Sequence, residues 1–172
     1  MNRTLIAASC CAILAACGSA DAPTQTAAET SPKPVVDRSA CPSAGDDGTI
    51  DIRPGLRARI LKNGYGRAAA AGDYAGVHAV LWVYDDTRPG NKGTEIWSSG
   101  GADPFEFQIG QSGFIAGWSP GIECMLLGEK RELVIAPELA YGANGRPPVP
   151  PNATLLYELE LVNLVTPGAT AN

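Results

Sequence analysis

At 172 residues, with 45% of them hydrophobic, the chain is long enough for one domain with an appended segment and can fill one core. Its formal net charge of −5 and the lack of any Lys/Arg cluster exclude a phosphate-backbone binder, so no nucleic-acid partner is expected. The same charge balance gives no electrostatic hold on anionic lipid.

The first segment has a cationic start at Arg3 and an apolar run from Leu5 to Ala16. That run is too short for a transmembrane helix, which needs about 20 apolar residues. It ends in Leu14-Ala15-Ala16-Cys17-Gly18, small residues leading to a cysteine, which resembles a bacterial lipoprotein signal. Residues 1–16 are expected to be removed and Cys17 to carry the lipid. The bland alternative is an ordinary secretory signal. The expected location is the bacterial cell envelope, lipid-anchored; without Asp after Cys17, the signal resembles those sorted to the outer membrane, facing the periplasm. Residues 17–48, rich in Ala, Thr, Ser and Pro and without a hydrophobic period, read as a disordered tether, so the membrane is reached through the N-terminal lipid only.

Of the five cysteines, Cys10 and Cys11 leave with the signal and Cys17 takes the lipid, so Cys41 and Cys124 remain. In an oxidising compartment an even remainder suggests a disulfide, with two unrelated thiols as the alternative.

The folded domain is expected over residues 49–166, followed by a tail over 167–172. Gly55 to Leu61 reads as a strand, and Lys62 to Asp73 as a Gly/Ala connection. From Gly76 to Tyr84, Val77, Ala79, Leu81 and Val83 alternate as in a half-buried strand. Asp85 to Gly93, with Pro89-Gly90 and Asn91, reads as a loop. Further strands are expected at Phe105–Ile109, Glu132–Ala136 and Leu155–Val165, the last setting Tyr157, Leu159 and Leu161 on one face. The spacing of Trp118, Ile122 and Met125 predicts one helix over 117–127, and Pro120 fits its first turn. The pattern predicts an α+β fold, an antiparallel sheet with one short α-helix packed on it.

Three motifs invite sharper readings that the chemistry does not support. Gly117-Trp118-Ser119-Pro120-Gly121 fits the hydrolase nucleophile pattern, but the residue after that serine must lend an N–H to the oxyanion hole and Pro120 has none. Gly64-Tyr65-Gly66-Arg67-Ala68-Ala69 fits a loose dinucleotide fingerprint, yet no helix of useful length can follow it. His78, the only histidine, has no partners at ligand spacing, so no metal site is expected.

Between Pro104 and Tyr157 lie Phe105 and Phe107, Phe114-Ile115 before Gly117-Trp118, Ala140-Tyr141-Gly142, and Pro150-Pro151-Asn152-Ala153-Thr154-Leu155. Upstream come Gly72-Asp73, Val77-His78 and Ser98-Ser99. That ordered set closely resembles the FKBP family of peptidyl-prolyl cis-trans isomerases. The resemblance implies a half β-barrel wrapped around a short helix, isomerisation of X-Pro bonds without a cofactor, and proline-containing protein segments as partners; we expect a monomer. It implies that Trp118 is the floor of a pocket seating the prolyl ring. Phe105, Phe107 and Tyr157 would be walls, Ile96, Phe114, Ile115 and Val149 would complete the apolar surface, and Tyr141 would offer its hydroxyl to a substrate carbonyl. The loop Gly145 to Pro151 would overhang the pocket.

Two departures stand out: Ala79 where the family has Tyr after Val-His, and Trp97 where it has Asp. They predict reduced activity and weak binding of the family's macrolide inhibitors. They also keep open a non-catalytic chaperone reading, in which the domain holds apolar or proline-containing segments. A purely structural envelope role is the third.

Overall fold

The computed structural model describes Arg38, residues 41–101 and residues 103–168. The expected signal, the lipidation position Cys17, most of the expected tether and the last tail residues lie outside that range. The strands, in chain order, are β1 (Thr49–Arg53), β2 (Leu56–Lys62), β3 (Tyr65–Ala68), β4 (Tyr74–Tyr84), β5 (Lys92–Ser98), β6 (Phe105–Gln108), β7 (Leu126–Leu127), β8 (Lys130–Ile135) and β9 (Leu155–Val165). The helix α1 (Trp118–Ile122) lies between β6 and β7.

One antiparallel sheet carries the order β1-β2-β8-β9-β4-β5, and β6 also pairs with β4. The long strand β4 meets β9 along its full length, while its other edge is shared, Tyr74–Val77 with β6 and Val80–Tyr84 with β5. β3 and β7 form a separate two-stranded sheet. Alternation accounts for the inner face: Val77, Ala79 and Leu81 of β4 are buried beside Tyr157, Leu159 and Leu161 of β9. Leu156 is buried too, on the opposite face. The antiparallel sheet with one short helix follows the pattern read from the sequence, and among the described residues the strand path does not close into a barrel.

The helix is much shorter than its apolar spacing predicts. Trp118, Ile122 and Met125 are all buried, so the stripe is real, but the chain leaves helical geometry at Glu123 and takes a left-handed conformation at Cys124, φ 66°. The cause lies on β8. The Arg131 guanidinium donates to the carbonyls of Gly121, Glu123 and Cys124 at 2.9, 3.2 and 3.3 Å, satisfying acceptors that further helical turns would otherwise take. Arg131 is itself buried against Glu129, whose carboxylate accepts Arg131 Nε at 2.9 Å and the Leu126 N–H at 3.1 Å. Burial pulls the Arg131 guanidinium down to about 10.

Two glycines let α1 sit directly on the sheet. A Cβ at Gly117 would lie 2.6 Å from Ile135 Cγ2, and one at Gly121 would lie 2.4 Å from Leu133 Cδ1. Three further differences from the sequence reading concern short, partly exposed elements. β1 and β5 are edge strands rich in polar residues, and β3 replaces part of the expected connection because Tyr65 and Ala68 pair with Leu127 and Leu126.

Residues near the end of the expected tether are fastened to the domain. Cys41 is disulfide-bonded to Cys124. Arg38, whose carbonyl accepts the Cys41 N–H, pairs with the buried Glu129 carboxylate.

Candidate active site

The start of α1 with the segment before it, the inner face of the sheet and the loop before β9 together line an open hollow of about 830 Å³. Its floor is Trp118, which is 5% exposed because Gly117 and Gly121 draw the helix onto β8 and turn the indole inward. The indole N–H is buried and has no acceptor among the described residues. Tyr157, on the adjoining β9, meets the indole edge-on at 4.9 Å between ring centroids. Phe114 lies over the indole with its ring nearly parallel, 6.2 Å away, and Phe105 stands edge-on to both. Such offset and edge-on contacts favour a fixed aromatic cluster over a fluid one.

Ile96, Phe105, Phe114, Ile115, Trp118, Tyr141, Val149 and Tyr157 all face the hollow. Phe107 does not. Expected as a wall, it is 5% exposed and packs behind Phe105, Phe114 and Trp118 at 6.0, 5.2 and 5.8 Å, so it braces the wall without touching an occupant. Phe105 and Phe107 share one face of β6, as period two requires, but lie at different depths.

Residues that the sequence reading did not assign also face the hollow: Leu81, Ala140, Arg146 and Pro147 among them. Leu81 was legible as the inward face of an alternating strand, and Arg146 as part of the overhanging loop. Trp97, noted only as a replacement, stands at the rim, 45% exposed, with its backbone paired to Leu81. Ala79 is buried in the sheet and presents nothing polar to the hollow, while its N–H donates to Ser99 Oγ at 3.2 Å.

The polar side chains at the wall are the Tyr141 and Tyr157 phenols and, at the mouth, the Arg146 guanidinium. Burial pushes the Tyr157 hydroxyl well above the ordinary tyrosine value, and nearby Tyr141 adds to this, so Tyr157 stays protonated at any physiological pH. Tyr141 is partly buried, with the Arg146 guanidinium carbon 6.0 Å from its ring centroid. The arrangement provides a largely aromatic hollow with two uncharged hydroxyls, suited to holding an apolar ring and a flanking amide.

The other motifs have structural explanations. Ser119 Oγ accepts the Gly110 N–H at 3.0 Å in the first turn of α1, and His78 Nδ1 on β4 lies 3.5 Å from Ser99 Oγ just after β5. Among the described residues no cluster of three His, Cys, Asp or Glu side chains is placed to hold a metal. No helix among them is long and apolar enough to cross a membrane.

A family profile described as FKBP-type peptidyl-prolyl cis-trans isomerase matches residues 66–162. FK506-binding protein 1 of Aspergillus oryzae is 36% identical over 114 residues, covering 64% of this chain and 98% of that protein. FK506-binding protein 2 of Candida glabrata is 52% identical over 63 residues, 36% of this chain and 46% of that protein. Among solved structures, FkpA from Escherichia coli aligns with a TM-score of 0.56 and 33% identity, over 66% of this chain and 49% of that one. A profile that spans β3 to β9 takes in the entire aromatic hollow, and the chain belongs to the FKBP-type peptidyl-prolyl cis-trans isomerase family.

Proposed function

We propose that the domain isomerises X-Pro bonds of bacterial cell-envelope proteins, as a monomer held to the outer membrane by lipid on Cys17 and facing the periplasm. The observation that carries the catalytic part is the inward-facing Trp118 at the base of an aromatic hollow. Rotation about a peptide C–N bond meets a barrier of ~18–20 kcal/mol because conjugation is broken. The planar amide has the larger charge separation, so a site poor in water disfavours it relative to the twisted form. A cavity shaped for the twisted form adds to that difference.

In this reading the prolyl ring rests on the Trp118 face, Phe105, Phe114 and Tyr157 exclude water, and Ile96, Ile115 and Val149 complete the surface. Tyr141 donates its hydroxyl to a substrate carbonyl. No nucleophile, metal or cofactor enters the step. The envelope location is supported by the residues around Cys17 and by the Cys41–Cys124 bridge, which suits an oxidising compartment.

Activity is expected to be reduced, and FK506-type macrolides to bind weakly, because Ala79 and Trp97 remove the phenol and carboxylate that the family presents. The same replacements favour a second reading, a peptide-holding chaperone without turnover. Trp97, Phe105 and Phe114 are 45%, 40% and 36% exposed and make an apolar rim suited to that task.

The deciding measurement is exchange NMR or a protease-coupled assay on an X-Pro peptide, with Trp118→Leu as control. Acceleration by the intact domain that the variant loses supports the enzyme. Binding of the peptide with no acceleration supports the holder.

A further inference from the structure

Among the described residues Arg146 is the only charged one that faces the hollow; the others around it are apolar, aromatic or uncharged. On a chain of net charge −5 it is a local reversal of sign at the mouth of the site. Among the described residues no carboxylate forms an ion pair with it, as none does with Arg53 or Arg57, whereas Arg38, Arg59, Arg67, Arg88 and Arg131 have one.

The backbone that carries it is tied down by hydrogen bonds. Arg146 N–H donates to the Val149 carbonyl at 3.0 Å and Val149 N–H donates back at 2.7 Å, closing a two-way turn over Pro147 and Pro148. Asn152 N–H donates to the Gly142 carbonyl at 3.0 Å and ties the loop to the turn beside Tyr141. Gly145, at φ 65°, has no room for a side chain, since a Cβ would meet Pro150 C at 2.7 Å. The side chain therefore rises from a fixed base and lies against the Tyr141 ring, 6.0 Å from guanidinium carbon to centroid, a distance at which a cation is attracted to the ring face. A guanidinium so placed offers donors beside the phenol that the proposed mechanism gives to a substrate carbonyl.

We propose that Arg146 makes this site select proline segments in which an acidic residue precedes the proline. This rests on the isomerase reading for its location, but the selectivity is read out separately. Tetrapeptides with Glu, Gln, Lys or Leu before the proline are compared by kcat/KM and, independently, by NMR titration for affinity. An exposed pair of this kind is worth about three-fold in rate or affinity. Glu should exceed its neutral isostere Gln by that factor at low salt and Lys should fall below both. The advantage of Glu should collapse at 1 M NaCl, where the screening length is about 3 Å.

In Arg146→Gln the Glu-to-Gln ratio should fall to about one, and in Arg146→Glu the order of Glu and Lys should invert. Equal values for Glu and Gln in the unaltered protein, by both measurements, would overturn the proposal. A ratio unchanged in Arg146→Gln would overturn it as well. If no peptide is isomerised faster than in buffer, the enzymatic reading fails, and the titration alone decides the selectivity.

Discussion

Trp118, Tyr141 and Tyr157 divide the work at the hollow between shape and polarity. The indole is fixed by glycines beneath it, while the two phenols are the uncharged hydroxyls beside a largely aromatic wall whose mouth carries Arg146. If Tyr141 donates to the substrate, Tyr141→Phe should lower kcat/KM about ten-fold, the value of one net hydrogen bond. Its thermal unfolding should stay close to that of the parent, because the ring remains. An unchanged kcat/KM in the peptide assay would exclude that role. At the rim, Trp97→Asp should tighten FK506 binding by at least ten-fold in calorimetry, since it returns a carboxylate where the family has one; an equal or weaker Kd would show that the loss at Ala79 governs affinity instead. Most of this site was legible one residue at a time from the ordered aromatic landmarks. Depth was not: Phe105 and Phe107 have the same residue type and the same strand parity, and only the packing of Phe114 and Trp118 against them puts one at the surface and the other behind it.

Among the elements, α1 shows where a periodic pattern stops being informative. Trp118, Ile122 and Met125 are buried as their spacing implies, but the helix length is set by Arg131, several residues downstream, capturing the terminal carbonyls. No local signal in 117–127 announces that. The edge strands β1 and β5 escaped for different reasons: β5 tolerates Lys, Gly, Thr and Glu on a half-exposed edge, whereas β1 alternates Ile50 and Ile52 with Thr49, Asp51 and Arg53 but is only five residues long. The contact between α1 and β8 leaves no space at Gly121, so Gly121→Ala should cost about 1–3 kcal/mol in urea denaturation, through displacement of the fully buried Leu133. Stability equal to the parent would mean that the helix can lift off the sheet without penalty.

The turn between β3 and β4 carries one of the carboxylates whose pairing makes stability depend on pH. Burial by itself would raise the Asp73 carboxyl, but the Arg67 guanidinium and the Ala70 N–H hold it below the ordinary 3.8. A carboxylate depressed in the folded state contributes stability that is present above its unfolded value and lost as pH falls through the folded one. Arg67→Ala removes the main opposing partner, so the folded value rises and acid unfolding, followed by circular dichroism, should begin at a higher pH. An unshifted acid transition would remove Asp73 from the account.

For the molecule as a whole, the antiparallel sheet with its single helix was legible because strand alternation and the ordered motifs agree. The attachment of the segment before β1 was only half legible. Counting cysteines left a disulfide and two free thiols both open, and the Arg38–Glu129 pair has no sequence signature at all. The Cys41–Cys124 bridge spans 83 residues. Closing a loop of that length is worth about 4–5 kcal/mol in the chain-entropy model. Reduction, or Cys124→Ala, should therefore lower the unfolding free energy by a large part of that amount in denaturant titrations run with and without reductant. Coincident curves would show that the bridge adds nothing.

The same bridge decides how the protein bears a mechanical load. A pull applied N-terminal to Cys41 does not peel β1 from the sheet, because the force passes through the two sulfurs to the turn after α1 and bypasses everything between. The strands from β1 to β6 lie inside the locked span and cannot be drawn out while the sulfurs remain joined. Stretched between its ends in single-molecule experiments, the oxidised domain would release only the chain beyond residue 124, and the walls contributed by β4 and β6 would stay within the closed loop.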